Sequence, residues 1–242
     1  MSYYAVSDLH GNFNIYEQIK SYIKPDDVVF FLGDGGDRGP QPWKTIKTIM
    51  DDTQFIYMMG NHEDMLIKAL DEYREDNERL GYRFYHLANN GGTSTMEQML
   101  ADPDWKHYLK RMRVLPTTLI HKNKSGKTIY LSHSGLYYPG HENPSKDEAV
   151  WDRDHLWWPW PDGDDWVAVH GHTPVQIVPE LFPDDETYRT LQKNDEAPVG
   201  YLVYDEGHKI DIDCGCFFSG QACLLNLDTL EPTYFYVDNK KS

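Results

Sequence analysis

Five short apolar runs, each followed by a polar motif that contains glycine, constrain the fold of this chain more than any other feature. The first run is Tyr3 to Ser7, and Asp8 follows it directly. Short β-rich runs bounded by glycine and charge indicate buried strands. Helical patterns fill the early gaps, at roughly 12–23, 41–51 and 62–79. The alternation predicts an α/β fold with polar residues gathered at strand ends. The other four runs occupy 28–32, 55–59, 128–131 and 166–169.

The polar motifs combine carboxylate, imidazole and amide side chains, which suit a pair of divalent metal ions. One carboxylate must bridge such a pair, and an amide completes a site without adding charge. Together with an arginine, this set indicates hydrolysis of a phosphate ester, because two metal ions bind phosphate oxygens and acidify a water molecule. The motifs read Asp8-Leu9-His10-Gly11, Gly33-Asp34-Gly35-Gly36-Asp37-Arg38-Gly39, Gly60-Asn61-His62-Glu63, Ser132-His133-Ser134-Gly135 and His170-Gly171-His172-Thr173.

In this order the motifs resemble those of the calcineurin-like metallophosphoesterases, and more narrowly the phosphoprotein phosphatase branch in its bacterial and phage form. The resemblance runs from about Asp8 to Pro174 and extends to 212–215. It implies one domain over residues 1–242 and an α/β (α+β) sandwich of two mixed β-sheets packed face to face. Helices would flank the sheets, and a dinuclear metal site would lie at the strand ends. The doubled glycine Gly35-Gly36 departs from the family pattern and would loosen its loop.

The resemblance implies two divalent metal ions with Mn²⁺ as the first choice, while Fe, Zn and Mg stay open because ligand types alone do not fix the metal. Asp8 and His10 would hold the first ion, and Asp34 would bridge both. The second site would be completed by Asn61, His133 and His172.

The catalytic roles also follow from the resemblance. His62 would protonate the leaving alkoxide, oriented by Asp37, while a hydroxide that bridges the metals attacks the phosphorus directly. Arg38 would bind the phosphate through its planar fork. A second phosphate-binding arginine is expected at Arg153, in the short element Trp151-Asp152-Arg153.

Glu63 is expected to fix its loop, and His170 is open between a supporting residue and an alternative ligand. One further segment near the motifs is interpreted from its composition. The tryptophan-rich segment 151–166 would lie at the mouth of the site, where it would either contact substrate or be pinned to the body by its own rings.

Two substrate classes stay open within the family. A serine/threonine protein phosphatase, including the dual-specificity kind, is favoured because the tetraphosphatase branch commonly has a small residue where this chain has Asp37. A symmetrical bis(5'-nucleosyl)-tetraphosphate hydrolase is the alternative. A non-catalytic binding scaffold is disfavoured because no ligand is missing. A phosphodiesterase of the wider superfamily is disfavoured because Pro174 stands where such enzymes carry a second histidine.

The net charge of −16, from 39 acidic and 23 basic residues, disfavours nucleic acid and anionic membranes as partners. A phosphorylated protein or peptide with basic flanks would suit such a field, and a small phosphate ester or dinucleotide is the other candidate. No obligate protein partner is evident. The chain shows no transmembrane run or signal core, so a cytoplasmic location is expected. Its three cysteines form no disulfide framework, and Cys214 and Cys216 are interpreted as buried thiols.

Several peripheral elements are predicted as well. Residues 96–100 and 105–112 should form short helices that cap the site, and 121–127 should form a hairpin loop. The polar stretch 179–198 is predicted to be a mobile loop. Beyond it, the segments 200–204, 209–214, 222–227 and 233–237 predict four strands that complete a second sheet.

Overall fold

The computed structural model describes residues 1–73, 81–135, 145–159, 166–178 and 200–237. The strands in these ranges are β1 Tyr3–Val6, β2 Val28–Phe31, β3 Phe55–Tyr57, β4 Thr118–Lys122, β5 Thr128–Ser132, β6 Trp166–His170, β7 Leu202–Tyr204, β8 Lys209–Asp211, β9 Gln221–Asn226 and β10 Pro232–Tyr236. The helices are α1 Phe13–Tyr22, α2 Pro42–Asp51, α3 Asn61–Glu72, α4 Tyr82–Asn89, α5 Thr93–Leu100, α6 Trp105–Met112, α7 Lys146–Trp151 and α8 Cys216–Ser219.

The first sheet has the strand order β10-β9-β1-β2-β3, in which β1, β2 and β3 are parallel and β9 pairs antiparallel with both β1 and β10. Strands β1, β2 and β9 bury side chains on both faces, since alternate side chains of a strand point in opposite directions. Val6 and Phe31 face the core that the helices cover, while Ala5 and Phe30 face the second sheet. Strands buried on both sides read as continuous apolar runs, which explains the pattern seen in the sequence.

The second sheet has the order β4-β5-β6-β8-β7, with β5, β6 and β8 parallel and antiparallel strands at both edges. The expected fold class, two mixed sheets packed face to face with flanking helices, is confirmed. The predicted hairpin loop is confirmed as well, since the Asn123 amide donates to the Lys127 carbonyl between β4 and β5. The core between the sheets includes Ile129, Leu131, Val167, Val169, Ile210 and Leu225 from several strands of both sheets.

Several predicted elements differ from the observed ones. The four C-terminal strands do not all complete the second sheet, because β9 and β10 join the first sheet through the pairing of β9 with β1. Helix α3 ends at Glu72, and residues 74–79 of the predicted helix lie outside the described residues. Helix α4 was not predicted. The stretch 179–198 also lies outside the described residues.

The two predicted short helices exist, but they do not form a cap together. Helix α5 reaches the site through Thr95, which contacts Asp37. Helix α6 instead packs on α2, where the Tyr108 hydroxyl donates to Asp51 and its ring meets the Trp43 ring edge-on. None of the described helices is both long and apolar enough to span a bilayer.

The fold places every motif at the carboxyl end of a parallel strand. In the first sheet, Asp8 follows β1, Asp34 follows β2 and Asn61 follows β3. In the second sheet, His133 follows β5 and His172 follows β6. Face-to-face packing brings the two rows of strand ends together, so that the His172 amide donates to the Asp8 carboxylate over 3.0 Å.

Candidate active site

The backbone at the strand ends adopts an unusual conformation. Nine described residues other than glycine have positive φ, and six of them belong to the motifs. The left-handed region is sparsely populated by such residues and costs of order 1–3 kcal/mol each, so it persists only where the surroundings fix it. Strain of this kind clusters at functional sites. The six motif residues are Asp8, His10, Asp34, Asp37, Arg38 and His172.

Asp34 lies between two groups of candidate ligands. Its Oδ1 is 3.4 Å from Nε2 of His133, and its Oδ2 is 3.8 Å from Nε2 of His10. Its Oδ2 also lies 3.7 Å from Nε2 of His62. Because the two carboxylate oxygens face opposite groups, this side chain has the geometry of a bridging ligand. Ligand atoms in each of two sets, Asp8, Asp34 and His133, and His10, Asp34 and His62, lie within 4.8 Å of one another.

The second group of candidate ligands surrounds the amide of Asn61. Its oxygen lies 2.8 Å from Nε2 of His133 and 2.9 Å from Nδ1 of His172. Since Nδ1 of His133 is 2.9 Å from the Leu32 carbonyl and must donate to it, Nε2 of a neutral ring would present a lone pair to the amide oxygen. Two acceptors at this distance need a cation or an extra proton between them.

The first group lies around Asp8 and His10. One Asp8 oxygen, Oδ2, accepts hydrogen bonds from the Ser7 hydroxyl and the His172 amide. Its other oxygen, Oδ1, faces Nε2 of His10 at 3.8 Å. The His10 ring is oriented by its Nδ1, which is 3.0 Å from the carbonyl of Gly36, so its Nε2 points into the site. This is the arrangement in which a backbone carbonyl fixes the tautomer of a metal-binding imidazole.

The electrostatics favour a cation at these positions. Burial lowers the pKa of His10 and of His172 well below the usual value, so both rings are neutral and able to bind a metal. Burial also opposes protonation of His133, but the charges of Asp34 and Asp8 outweigh it and raise its pKa to about 10. Nε2 of His133 therefore sits where positive charge is strongly stabilised. The carboxylate, imidazole and amide ligands fit a pair of divalent metal ions, and so does the local stabilisation of positive charge.

His62 forms a separate hydrogen-bonded chain with Asp37 and Thr95. Its Nδ1 is 2.5 Å from Oδ2 of Asp37, and the Thr95 hydroxyl donates to the other oxygen of that carboxylate. Burial lowers the pKa of His62, but the charges of Asp34 and Asp37 exceed this effect, and the net shift is upward. The sequence did not indicate a role for Thr95, which belongs to none of the five motifs and lies 58 residues from its partner Asp37.

The two arginines lie on either side of these groups. The guanidinium of Arg38 directs NH1 to Nε2 of His10 at 3.1 Å and NH2 to Nε2 of His62 at 3.0 Å. A planar fork in this position can bind a phosphate with two parallel hydrogen bonds. Arg153 is half-buried, and its Nε donates to the Thr173 hydroxyl over 3.1 Å. Burial lowers the pKa of Arg153, although the charges of Asp213 and Asp8 oppose the shift.

Glu63 anchors the loop that carries Asp34. Its Oε2 accepts from the amides of Asp34 and Gly60, and its Oε1 accepts from the Gly35 amide and the Tyr57 hydroxyl. This confirms that Glu63 fixes its loop. The doubled glycine does not leave the loop loose, because the Gly35 carbonyl and the Gly36 carbonyl also accept hydrogen bonds from the neighbouring loop. A side chain at Gly35 would collide with the hydroxyl of Tyr57.

His170 and the tryptophan-rich segment were left open by the sequence. His170 is fully buried, with Nε2 2.8 Å from the Tyr204 hydroxyl and Nδ1 3.0 Å from the Gly171 carbonyl. It supports the fifth motif and does not present a ring nitrogen to the metal groups. Trp151 ends α7 with its ring centroid 6.3 Å from that of His172, while residues 160–165 lie outside the described residues.

Fold and site together define a metal-dependent phosphoesterase. The sequence matches the calcineurin-like phosphoesterase family over residues 1–209, and the chain belongs to this family. It is therefore a hydrolase that acts on phosphate esters, in a family that depends on two metal ions.

Individual relatives are distant. The chain is 24% identical to an asymmetrical bis(5'-nucleosyl)-tetraphosphatase of Anoxybacillus flavithermus, over 96% of this chain and 92% of the relative. Among solved structures it resembles a metallophosphoesterase from Sphaerobacter thermophilus, with 18% identity, a TM-score of 0.55 and coverage of 98% and 88% of the two chains. It also resembles a protein serine/threonine phosphatase from Saccharomyces cerevisiae, with 13% identity, a TM-score of 0.54 and coverage of 94% and 73%. These structures are similar in fold alone.

Proposed function

We propose that this protein is a phosphomonoesterase of the serine/threonine protein phosphatase type, which uses a pair of divalent metal ions with Mn²⁺ as the first choice. Asp34 would bridge the ions. The remaining ligands would be Asp8 and His10 on one side and Asn61, His133 and His172 on the other. The bound metals would supply Lewis acidity and a water molecule with a lowered pKa.

The chain's own residues would bind the phosphate and deliver a proton. The fork of Arg38 points into the space between His10 and His62, where it would hold two phosphate oxygens. Arg153 would neutralise a further oxygen from the side of Asp8. His62 would give a proton from Nε2 to the leaving oxygen, while Asp37 holds Nδ1 and stabilises the imidazolium.

The single observation that carries the substrate class is the pair of His62 and Asp37. An alkoxide is a poor leaving group, so hydrolysis of a phosphoserine or phosphothreonine needs an acid at the departing oxygen. The 2.5 Å contact with Asp37 orients His62 for this task. Burial lowers the pKa of His62, but the charges of Asp34 and Asp37 raise it by more, which favours the protonated ring. When a phosphoanhydride is hydrolysed, the leaving group is a weakly basic phosphate, so the rate gains much less from such an acid. The pair therefore favours a phosphomonoester of an alcohol.

A bis(5'-nucleosyl)-tetraphosphate hydrolase is the second candidate. It is supported by the relative from Anoxybacillus flavithermus, whose name states that activity and which aligns with this chain over 92% of its length. At 24% identity the likeness shows no substrate. The same metal groups and the same arginine fork would serve an anhydride.

A side-by-side assay with Mn²⁺ tests the proposal. We expect fast phosphate release from a phosphothreonine peptide and little cleavage of diadenosine tetraphosphate. Fast nucleotide cleavage with a slow peptide reaction would refute the protein phosphatase assignment. Two molecules of ADP as products would then indicate symmetrical cleavage, and ATP with AMP would indicate asymmetrical cleavage.

Replacement of His62 tests the proton transfer separately. We expect His62→Asn to lower turnover of the phosphothreonine peptide by about 10²–10⁴-fold while the content of bound Mn²⁺ is unchanged. His107→Asn, an exposed histidine on α6, is the matched control and should retain full turnover. Loss of metal together with activity in His62→Asn would reassign His62 as a ligand. That result would fit the set of ligand atoms shared by His10, Asp34 and His62.

A further inference from the structure

A buried hydroxyl outside the five motifs supports the pair of His62 and Asp37. Thr95 lies in the first turn of α5 and is fully buried. Its hydroxyl donates to Oδ1 of Asp37, and the same hydroxyl oxygen accepts from the Asp37 backbone amide over 3.0 Å. Thr95 therefore holds the side chain and the backbone of Asp37 at once.

The backbone of Asp37 needs such support because its φ is 65°, in a region that residues other than glycine rarely occupy. A conformation of this kind persists only where the surroundings fix it. The turn before α5 also holds the next residue, since the Arg38 amide donates to the Gly91 carbonyl over 3.2 Å. The segment from Gly91 to Thr95 thus fixes both residues, one of which would serve proton delivery and the other phosphate binding.

The two carboxylate oxygens of Asp37 have separate partners. Oδ1 accepts from Thr95, while Oδ2 lies 2.5 Å from Nδ1 of His62. Without the Thr95 bond the carboxylate could rotate about its terminal torsion, which has only a broad energy minimum. The His62 ring would rotate with it and move Nε2. Proton transfer requires the donor within roughly 2.6–3.2 Å of the receiving atom, so a small rotation would slow it.

The doubled glycine of the second motif leaves the room that Thr95 occupies. A Cβ atom at Gly36 would lie 3.2 Å from the methyl carbon of Thr95 and 2.6 Å from Cδ1 of Ile46. A side chain at this position therefore requires a shift of Ile46 or of Thr95. The departure from the family pattern at Gly36 thus coincides with the close approach of α5 to Asp37.

We infer that Thr95 is a positioning residue for proton delivery, which holds Asp37 so that His62 presents Nε2 to the leaving oxygen. This role rests on the proposed phosphatase function and adds a third member to the pair of His62 and Asp37. Loss of the hydroxyl should slow the transfer of a proton from Nε2 of His62 to the leaving oxygen. Binding of the phosphate should be preserved, because the bond from the Arg38 amide to Gly91 does not involve Thr95.

The competing explanation is that Thr95 only stabilises the fold, as the acceptor for a buried amide. Loss of the hydroxyl would then lower the activity toward every substrate alike. Loss of a positioning residue would instead slow only esters with a basic leaving group, because a weakly basic one departs without help from an acid. The experiment therefore compares a phosphothreonine peptide with p-nitrophenyl phosphate, whose nitrophenolate is far less basic than an alkoxide.

The test uses Thr95→Val, Thr95→Ser and the control Thr45→Val, all loaded with Mn²⁺. Thr45 on α2 is also fully buried, and its hydroxyl donates to the Gln41 carbonyl over 2.8 Å. Thr95→Val should lower kcat for the phosphothreonine peptide about 10–100-fold, with KM unchanged within about twofold. Turnover of p-nitrophenyl phosphate should change by less than about threefold. Thr95→Ser should retain most of the kcat for the peptide, and Thr45→Val should change neither substrate.

A double substitution separates action through His62 from general damage. In the His62→Asn protein the proton donor is already absent. Adding Thr95→Val to it should therefore lower kcat for the phosphothreonine peptide by less than about twofold. A further loss of about tenfold or more would show that Thr95 acts independently of His62, and would overturn the inference.

The remaining outcomes are also decisive. Equal losses for the two substrates, no loss for either, or a Thr95→Ser protein as slow as Thr95→Val would overturn the inference while the phosphatase function stands. If Thr95→Val does not fold, Thr95→Ser and Thr95→Ala, which differ only in the hydroxyl, provide the same comparison. If the unaltered protein hydrolyses diadenosine tetraphosphate and not the phosphothreonine peptide, the proposed function itself fails, and the role of Thr95 fails with it.

Discussion

Replacement of Glu63 by glutamine should damage the site through its backbone. The Glu63 carboxylate accepts four hydrogen bonds, and the substitution would turn one of its oxygens into an NH₂ group. The less costly orientation directs this NH₂ to the Gly35 amide and the Tyr57 hydroxyl, because a hydroxyl can rotate and accept while an amide cannot. One buried N–H then loses its acceptor, which costs about 1–3 kcal/mol.

The two bonds that remain, from Asp34 and Gly60, also weaken because they lose the charge of their acceptor. Burial and the nearby charge of Asp34 raise the pKa of Glu63, so removal of its charge offsets part of the loss. We expect Glu63→Gln to lower the free energy of unfolding of the Mn²⁺-loaded protein by about 2–4 kcal/mol.

Urea unfolding of the Mn²⁺-loaded protein measures this loss, and turnover at saturating substrate should fall with it because the Asp34 loop shifts. Glu72→Gln is the matched control on the same helix. Its carboxylate is partly exposed and contacts Arg83, so its loss should stay within about 0.5 kcal/mol. A loss below about 1 kcal/mol for Glu63→Gln, with full turnover, would refute the anchoring role.

Two further predictions concern the metals and the acid stability. Asp34→Asn should weaken the binding of both ions at once, and elemental analysis after dialysis against Mn²⁺ checks this; two ions retained with unchanged affinity would contradict it. Hydrogen bonds from Lys47 and Trp43 help to lower the pKa of Asp102 to about 2, below the value of about 3.9 in an unfolded chain. This stability is present above about pH 4 and is lost as the pH falls through about 2. Asp102→Asn should therefore cost about 1 kcal/mol at pH 7 and less at pH 2.5, whereas an equal cost at both pH values in urea unfolding would argue against the ion pair.

The candidate ligands were predictable because each occupies a position defined by a neighbouring strand. Asp8, Asp34 and Asn61 follow apolar runs that must be buried, and buried parallel strands end at a common edge. The same reasoning could not assign β9 and β10 to a sheet. Their apolar runs are compatible with a strand in either sheet. The assignment depends on the antiparallel pairing of Tyr4 with Asn226, which no local sequence pattern predicts.

Other features lacked a local signal. Helix α4 buries only Leu87, so its apolar spacing is too sparse to indicate an amphipathic helix. Thr95 reaches Asp37 only through tertiary packing.

Backbone hydrogen bonds hold together the two loops that carry the first two motifs. Where β1 and β2 stop pairing, the Asp8, His10 and Gly11 amides continue to donate to the Gly33, Asp34 and Gly35 carbonyls over 2.8–3.1 Å. Asp8, His10 and Asp34 have left-handed φ within this paired stretch, and the carboxylates of Asp8 and Asp34 face His172 and His133 of the second sheet. The strain is therefore held by the hydrogen bonds that also fix the positions of Asp8 and His10 relative to Asp34. Because Asp34 lies beside both groups of candidate ligands, a change that breaks this pairing would disturb both groups, even if it altered no ligand.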